Sequence, residues 1–318
     1  MQQSPDADRL AQGLAAASVA RGLAAWWGRL PLLSAAAALL LALNLPAQGL
    51  QWSAAARAEA MTERAQARGD RPPTPDEAVE DAAELLPACC TLCGSLAWSF
   101  LVVSPVAAGA TLAGARAARG NASGRDLFAG FTHGRYGSTL LASGITVLVG
   151  GGAMVLLVAV QSLAMAGPAA RILGGLLPPA VLTAVTMALL LLTLWLTARL
   201  WFALPRVTDP ERPRAGGMGS VARSWQWTEG AAQWQLLALV TGLGLVTAGL
   251  ALAADRVAQA SAGAGIAALA VAAWLAITLW AAVLGAAYEQ VADSREPRGR
   301  HGPEPGQPPA PGEEAMSA

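Results

Sequence analysis

Cys89, Cys90 and Cys93 are the only cysteines of the chain, and Cys90 and Cys93 have the C-x-x-C spacing of redox pairs and metal sites. A structural zinc site needs four thiolate or imidazole ligands, and no further cysteine or nearby histidine supplies them. The three are expected to be small thiols buried against neighbouring helices, so their joint replacement by Ser should leave function intact. His133 could serve as a general base, but its neighbours Arg135 and Tyr136 bring no nucleophile. Gly150-Gly151-Gly152 lies inside an apolar run. There it cannot cradle a phosphate from water; it either lets helices approach closely or breaks one. No catalytic, cofactor-binding or metal-ligating residue is assigned, and no cofactor.

The elements that would position such groups are long apolar runs. Six are near the length that crosses ~30 Å of hydrocarbon as a helix: Pro31–Leu50, Ala88–Ala113, Ser138–Ala166, Pro178–Leu200, Gln233–Ala254 and Ala262–Tyr288. Arg199, at the end of the fourth, is the only ionisable Asp, Glu, Lys, Arg or His side chain within them. The expected fold is therefore all-α: a polytopic membrane protein of six transmembrane helices with interfacial amphipathic helices. Pro31, Pro87 and Pro178-Pro179 suit first helical turns, where the missing N–H costs nothing. Within the spans Asn44 and Gln161 are the costliest polar side chains and should bond between helices, while most Ser and Thr can bond back to a carbonyl of their own helix. A proton-coupled carrier normally holds a buried carboxylate or His, and none lies in these runs.

Composition agrees. The chain of 318 residues is 54% hydrophobic and 13% charged, against about 25% charged in a soluble domain. Its 21 basic residues, all Arg, balance 21 acidic ones, which excludes a nucleic-acid binder that works by neutralising phosphates. With the N-terminus inside, fifteen Arg fall on inner segments and six on outer ones. The positive-inside rule then places both termini in the cytoplasm and the protein in a cell membrane. Trp26, Trp27, Trp52, Trp195, Trp201, Trp225, Trp227 and Trp234 flank the runs as interfacial anchors, and Arg199 is expected to snorkel to the inner surface.

Residues 1–30 read as a cytoplasmic amphipathic segment, 31–290 as the membrane domain, and 291–318 as a disordered tail rich in Pro, Gly and Glu. The first outer loop, Gln51–Leu86, has a net charge of −4. Within it Thr74-Pro75-Asp76-Glu77 is a capping box that should start a short acidic helix ending near Leu86. The loop reads as a solvated helical hairpin, or more sharply as a docking surface. Ser123 with Asp126 should cap another short helix and turn Leu127, Phe128 and Phe131 to lipid. Phe131-Thr132-His133-Gly134 and Leu140-Leu141-Ala142 recur, offset by 96, as Trp227-Thr228-Glu229-Gly230 and Leu236-Leu237-Ala238. Such an offset pairs spans two and three with four and five about an axis along the membrane normal.

Several segments carry a resemblance. They are Ser104-Pro105-Val106 with Gly109, Leu127-Phe128-Ala129-Gly130-Phe131, and above all Arg199-Leu200-Trp201-Phe202-Ala203-Leu204-Pro205 followed by Ser224-Trp225 and Gly230. Together they resemble the membrane domain of glycerophosphoryl diester phosphodiesterase-like proteins and related bacterial integral membrane proteins over about Ala88–Tyr288. The resemblance implies a six-helix inner-membrane bundle, not phosphodiesterase activity, which resides in a soluble barrel for which this chain has no room. The functional expectation is a non-enzymatic structural or accessory component that contacts lipids, a protein partner or its own copies, but not nucleic acid. A transporter or lipid-handling permease with a site at the repeat interface is the alternative. A membrane enzyme ranks last, because no acid, base, nucleophile or metal ligands cluster.

Overall fold

The computed structural model describes residues 5–69, 71, 74–132, 134–149, 179–213 and 216–295. The chain opens with α1 (Pro5–Gly28), α2 (Leu30–Arg68) and α3 (Pro75–Trp98). A π-helical turn, Ser99–Val103, carries α3 directly into α4 (Ser104–Ala117), and a 3-10 helix follows at Gly124–Phe131. Next come α5 (Tyr136–Val149), α6 (Pro179–Leu200), α7 (Ala203–Thr208) and α8 (Gly217–Trp227). The long helices α9 (Ala231–Ala260) and α10 (Ala262–Arg295) end the described chain. No strand occurs among the described residues.

Five stretches are long and apolar enough to cross a membrane: Leu30–Arg68, Pro75–Ala118, Ala184–Thr208, Ala232–Ala260 and Gly263–Arg295. This is the architecture of an all-α, multi-pass membrane protein. The expected third span is described only through α5, and its remainder, with Gly150-Gly151-Gly152 and Gln161, lies outside the described residues.

Helix α10 is the hub, packing chiefly on α9, α1 and α4. Every residue from Ala281 to Ala292 is buried, a condition only an apolar or internally paired helix tolerates. Its main cluster gathers Phe202, Trp227, Leu236, Val240, Leu284 and Tyr288. Contact with α4 depends on two glycines. A Cβ on Gly114 would strike the Ala281 carbonyl, and one on Gly285 the Ala115 amide. Lipid tails are as apolar as Leu, so such backbone approach supplies the van der Waals packing that holds membrane helices together. Gly109, closed against the Leu127 carbonyl, acts the same way, whereas Gly242, Gly244, Gly249 and Gly263 meet nothing within 4 Å.

Several expectations are corrected or sharpened. The N-terminal segment is helical and packs on the bundle. The Ala15 amide donates to Gln235 Oε1 of α9 at 3.4 Å, Gly22 lies on the Val283 backbone of α10, and Arg29 Nη2 donates to the Gly120 carbonyl just past α4. Thus α1 straps three elements together. Helix α2 carries the first apolar run on through the outer loop to Arg68 without a break, and Pro87 is interior to α3 rather than at a first turn. Helix α10 reaches Arg295 with Val291 and Ala292 buried, so residues 291–295 belong to the bundle; residues 296–318 lie outside the described residues. Asn44 Nδ2 bonds the Leu40 carbonyl of its own helix at 2.9 Å, so it makes no interhelical bond there. The hydroxyls behave as expected: Thr111, Thr146, Thr193, Thr197 and Thr247 each donate to the carbonyl four residues back.

Candidate functional site

The Arg-rich end of the bundle holds most of its buried charge. Thr208 ends α7, and the turn that follows puts Asp209, Glu211 and Arg212 against the close of α10. Asp209 is fully buried and Arg212 is 3% exposed. The Asp209 carboxylate accepts from the Glu211 amide at 3.0 Å and from the Tyr288 hydroxyl at 3.2 Å, and Arg212 Nε lies 3.3 Å from it. Arg212 also donates to the Ala292 carbonyl at 3.1 Å and to Asp293 at 2.7 Å. Its guanidinium sits 5.9 Å from the Tyr288 ring centroid.

A second half is built from the end of α4. Arg116 donates to Asp126 at 2.5 Å and lies 3.1 Å from Glu211, while Arg119 bridges Glu211 at 2.5 Å and Glu289 at 3.1 Å. Asp126 is held in place by the expected capping box, accepting from the Ser123 amide at 2.8 Å. Arg135, just before α5, donates to the carbonyls of Val207 at 3.2 Å and Asp209 at 2.8 Å. Five carboxylates, Asp126, Asp209, Glu211, Glu289 and Asp293, surround Arg116, Arg119 and Arg212, and the oxygens of Asp126 and Asp209 are taken up by donors. Held like this, they tie α4, the 3-10 helix, α7 and α10 into one unit.

Arg199 forms a separate feature. Its guanidinium lies 4.8 Å from the Trp195 centroid and 4.2 Å from that of Trp225, and it donates to Gln233 Oε1 at 3.0 Å. Arg199 is only 8% exposed, so it does not snorkel; it is clamped between rings that attract a cation by their quadrupoles. The Ser224 hydroxyl donates to the Arg199 carbonyl at 2.6 Å and fixes α8 to the end of α6. Trp27, Trp52 and Trp234 are 70%, 73% and 63% exposed, whereas Trp227, expected as an interfacial anchor, is buried in the main core cluster.

The other sequence candidates are not brought together. Cys89, Cys90 and Cys93 are free and exposed on α3, which corrects the expectation of buried thiols, and among the described residues no group of His, Cys, Asp and Glu could hold a metal. His133 lies outside the described residues. Leu127 does not face lipid: it is 5% exposed and packs with Ala36, Leu40, Val106 and Ala110, while Phe128 and Phe131 are exposed.

Sequence reasoning missed the roles of Arg116, Asp126, Asp209, Arg212, Tyr288 and Glu289. One signal was available. Arg116 and Arg212 stand 96 apart, the offset of the repeated loop. The described ends of that repeat share a local conformation. Gly134 has φ 78 and Gly230 φ 75, and Thr132 and Thr228 both donate to the carbonyl three residues back, at 2.8 and 3.1 Å.

Fold and site thus define a class, a helical multi-pass membrane protein with an ion-paired end. Comparison with family models, curated proteins and solved structures yields no match.

Proposed function

We propose that this chain is a structural or accessory component of a cell membrane, with no catalytic site of its own, that works by presenting surfaces to a partner or to lipid. The observation that carries this reading is a division of the molecule. Charged groups at the Arg-rich end are turned on one another. At the opposite end, α2 and α3 extend beyond any hydrocarbon layer as a paired stalk. Helix α2 has 39 residues, about 58 Å at 1.5 Å per residue, against ~30 Å of hydrocarbon. In this reading the chain has six spans, the third of them the run Ser138–Ala166, and the Arg-rich end and both termini are cytoplasmic. The resemblance to the membrane domain of glycerophosphoryl diester phosphodiesterase-like proteins belongs to the same proposal.

Purification in mild detergent followed by native mass spectrometry tests it. A stoichiometric protein partner supports the surface reading, and a monomer or homodimer that retains particular lipids with no protein partner overturns it in favour of a permease. A reporter fused after Ala318 should read cytoplasmic.

One observation favours a second reading. A groove of about 820 Å³ runs between α1 and the pair α9 and α10, lined by Ala15, Val19, Leu23, Gly242, Val246 and Leu279. It is wide and apolar enough for an acyl chain, which suits a lipid-handling permease. Transfer of fluorescent phospholipid between leaflets of liposomes holding the purified protein would establish that reading.

A further inference from the structure

The buried guanidinium groups of this molecule are not all balanced in the same way. Arg116, Arg119 and Arg212 each face carboxylates. Arg199 is 8% exposed, yet it forms no ion pair with any of the described residues. Glu229, on the turn between α8 and α9, is exposed and does not reach it. A guanidinium carries five N–H donors in a rigid fork. Here the protein supplies one acceptor, Gln233 Oε1 at 3.0 Å, and Nε is buried with no partner. Trp195 and Trp225 attract the cation but carry no counter-charge. An unpaired cation withdrawn from water is costly, and at the end of a membrane helix it marks a functional position.

The fold holds this cation in place. Ser224 donates to the Arg199 carbonyl at 2.6 Å, which sets the adjacent Trp225 against the guanidinium. What surrounds it selects the counter-ion. Arg199 ends the fourth apolar run, and Trp195, Leu192 and Leu191 continue its stripe along α6 at helical spacing. Leu191 and Leu192 are exposed, as is Trp234 beside Gln233. An exposed apolar stripe that ends at a cation among tryptophans fits a phospholipid, with acyl chain along the leucines and phosphate at head-group level. The guanidinium fork matches two oxygens of a phosphate. A head group of net negative charge neutralises the site, whereas a zwitterionic one brings a second cation to it.

We propose that Arg199 is the centre of a binding site for the phosphate oxyanion of an anionic phospholipid, with Gln233 orienting the guanidinium and Trp195 and Trp225 as walls. The inference goes beyond the accessory-component reading and does not rest on it.

The test uses the full chain in mild detergent, offered phosphatidylglycerol, phosphatidylcholine or inorganic phosphate, with native mass spectrometry as the readout. Both lipids carry a phosphodiester, but only phosphatidylglycerol has a net charge. The wild type should retain one phosphatidylglycerol per chain, roughly tenfold more tightly than phosphatidylcholine. Arg199→Gln should abolish that preference while helical circular dichroism is unchanged. Arg199→Lys keeps the charge without the fork and should weaken phosphatidylglycerol binding several-fold; it reads the site even if the Gln variant fails to fold. Arg21→Gln removes an exposed arginine of α1 and should change nothing. Equal retention of the two lipids, a preference that survives in folded Arg199→Gln or is undiminished in Arg199→Lys, or an equal loss in Arg21→Gln would each overturn the proposal. Retention of inorganic phosphate but not phosphatidylglycerol would also overturn it, assigning the site to a free anion. A protein partner held without lipid would remove the site and leave the accessory reading standing. Phosphatidylglycerol held at Arg199 without a protein partner would keep the site and remove that reading.

Discussion

Guanidinium–carboxylate pairs occur at both ends of this molecule, under opposite conditions. In the stalk, Arg64, Arg68 and Arg71 reach across to Glu80, Glu84, Asp81 and Glu77, and the side chains of Arg64 and Glu80 are 42% and 68% exposed. At the Arg-rich end the side chains of Arg212 and Asp209 are 1% and 0% exposed. An exposed pair gains little over its hydrated ions, about 0.2–1 kcal/mol. A buried pair is built against a large desolvation cost, so losing one partner strands the other, at roughly 3–5 kcal/mol. One end is fastened by pairs that can be exchanged singly; the other depends on every member being present.

That contrast can be broken most strongly at Asp209. Asp209→Ala removes the acceptor of the Tyr288 hydroxyl and a partner of Arg212, and should destabilise the bundle by roughly 3–5 kcal/mol, read as a lowered Tm of the purified protein. A failure to lower Tm would mean that water reaches this site. Gly285→Leu should cost about 1–3 kcal/mol or more by forcing α10 off α4, with loss of the native detergent-resistant form as the readout. Arg199→Lys keeps the charge but loses the flat stacking between Trp195 and Trp225. It should lower stability by about 0.5–2 kcal/mol and shift tryptophan fluorescence.

In the stalk, Arg64→Ala, which removes the half-exposed pairs with Glu80 and Glu84, should leave Tm almost unchanged. An effect as large as that of Asp209→Ala would erase the distinction between the two ends. The smallest effect expected is one of pH. The Thr74 amide bond to its carboxylate, with Arg71 nearby, holds Glu77 below its ordinary range. Because the folded value is lower than the unfolded one, its contribution is present above the unfolded pKa and is lost as pH falls through the folded pKa. Amide protection at the start of α3, taken relative to the intrinsic exchange rate at each pH, should therefore fall in acid, and Glu77→Gln should remove that dependence.

Much of this was legible locally. Both capping boxes, Thr74 with Glu77 and Ser123 with Asp126, form as their spacing requires, because a cap involves neighbouring residues only. The apolar runs gave the long helices for a similar reason. The ends were less legible: Pro87, placed by a local rule at a first turn, lies inside α3, since pairing of α2 with α3 carries the helix through a position that such a rule would break. The candidate site was the least legible. Asp126, Asp209 and Glu289 look like ordinary loop or helix-end acids, and only α4, α7 and α10 converging on one another bury them.

The sequence by itself determined that this chain crosses a membrane as helices. In hydrocarbon each backbone N–H and C=O must bond within its own segment, so an uncharged run of sufficient length has no other structure to adopt. Tertiary structure alone decided which face of each helix met which neighbour. Runs of Leu, Ala and Gly are apolar all round and mark no face as inner or outer. Whether Leu127 is covered, whether Arg199 snorkels or stacks, and whether three cysteines are buried or exposed therefore followed from how backbones could approach at positions such as Gly114, Gly285 and Gly22.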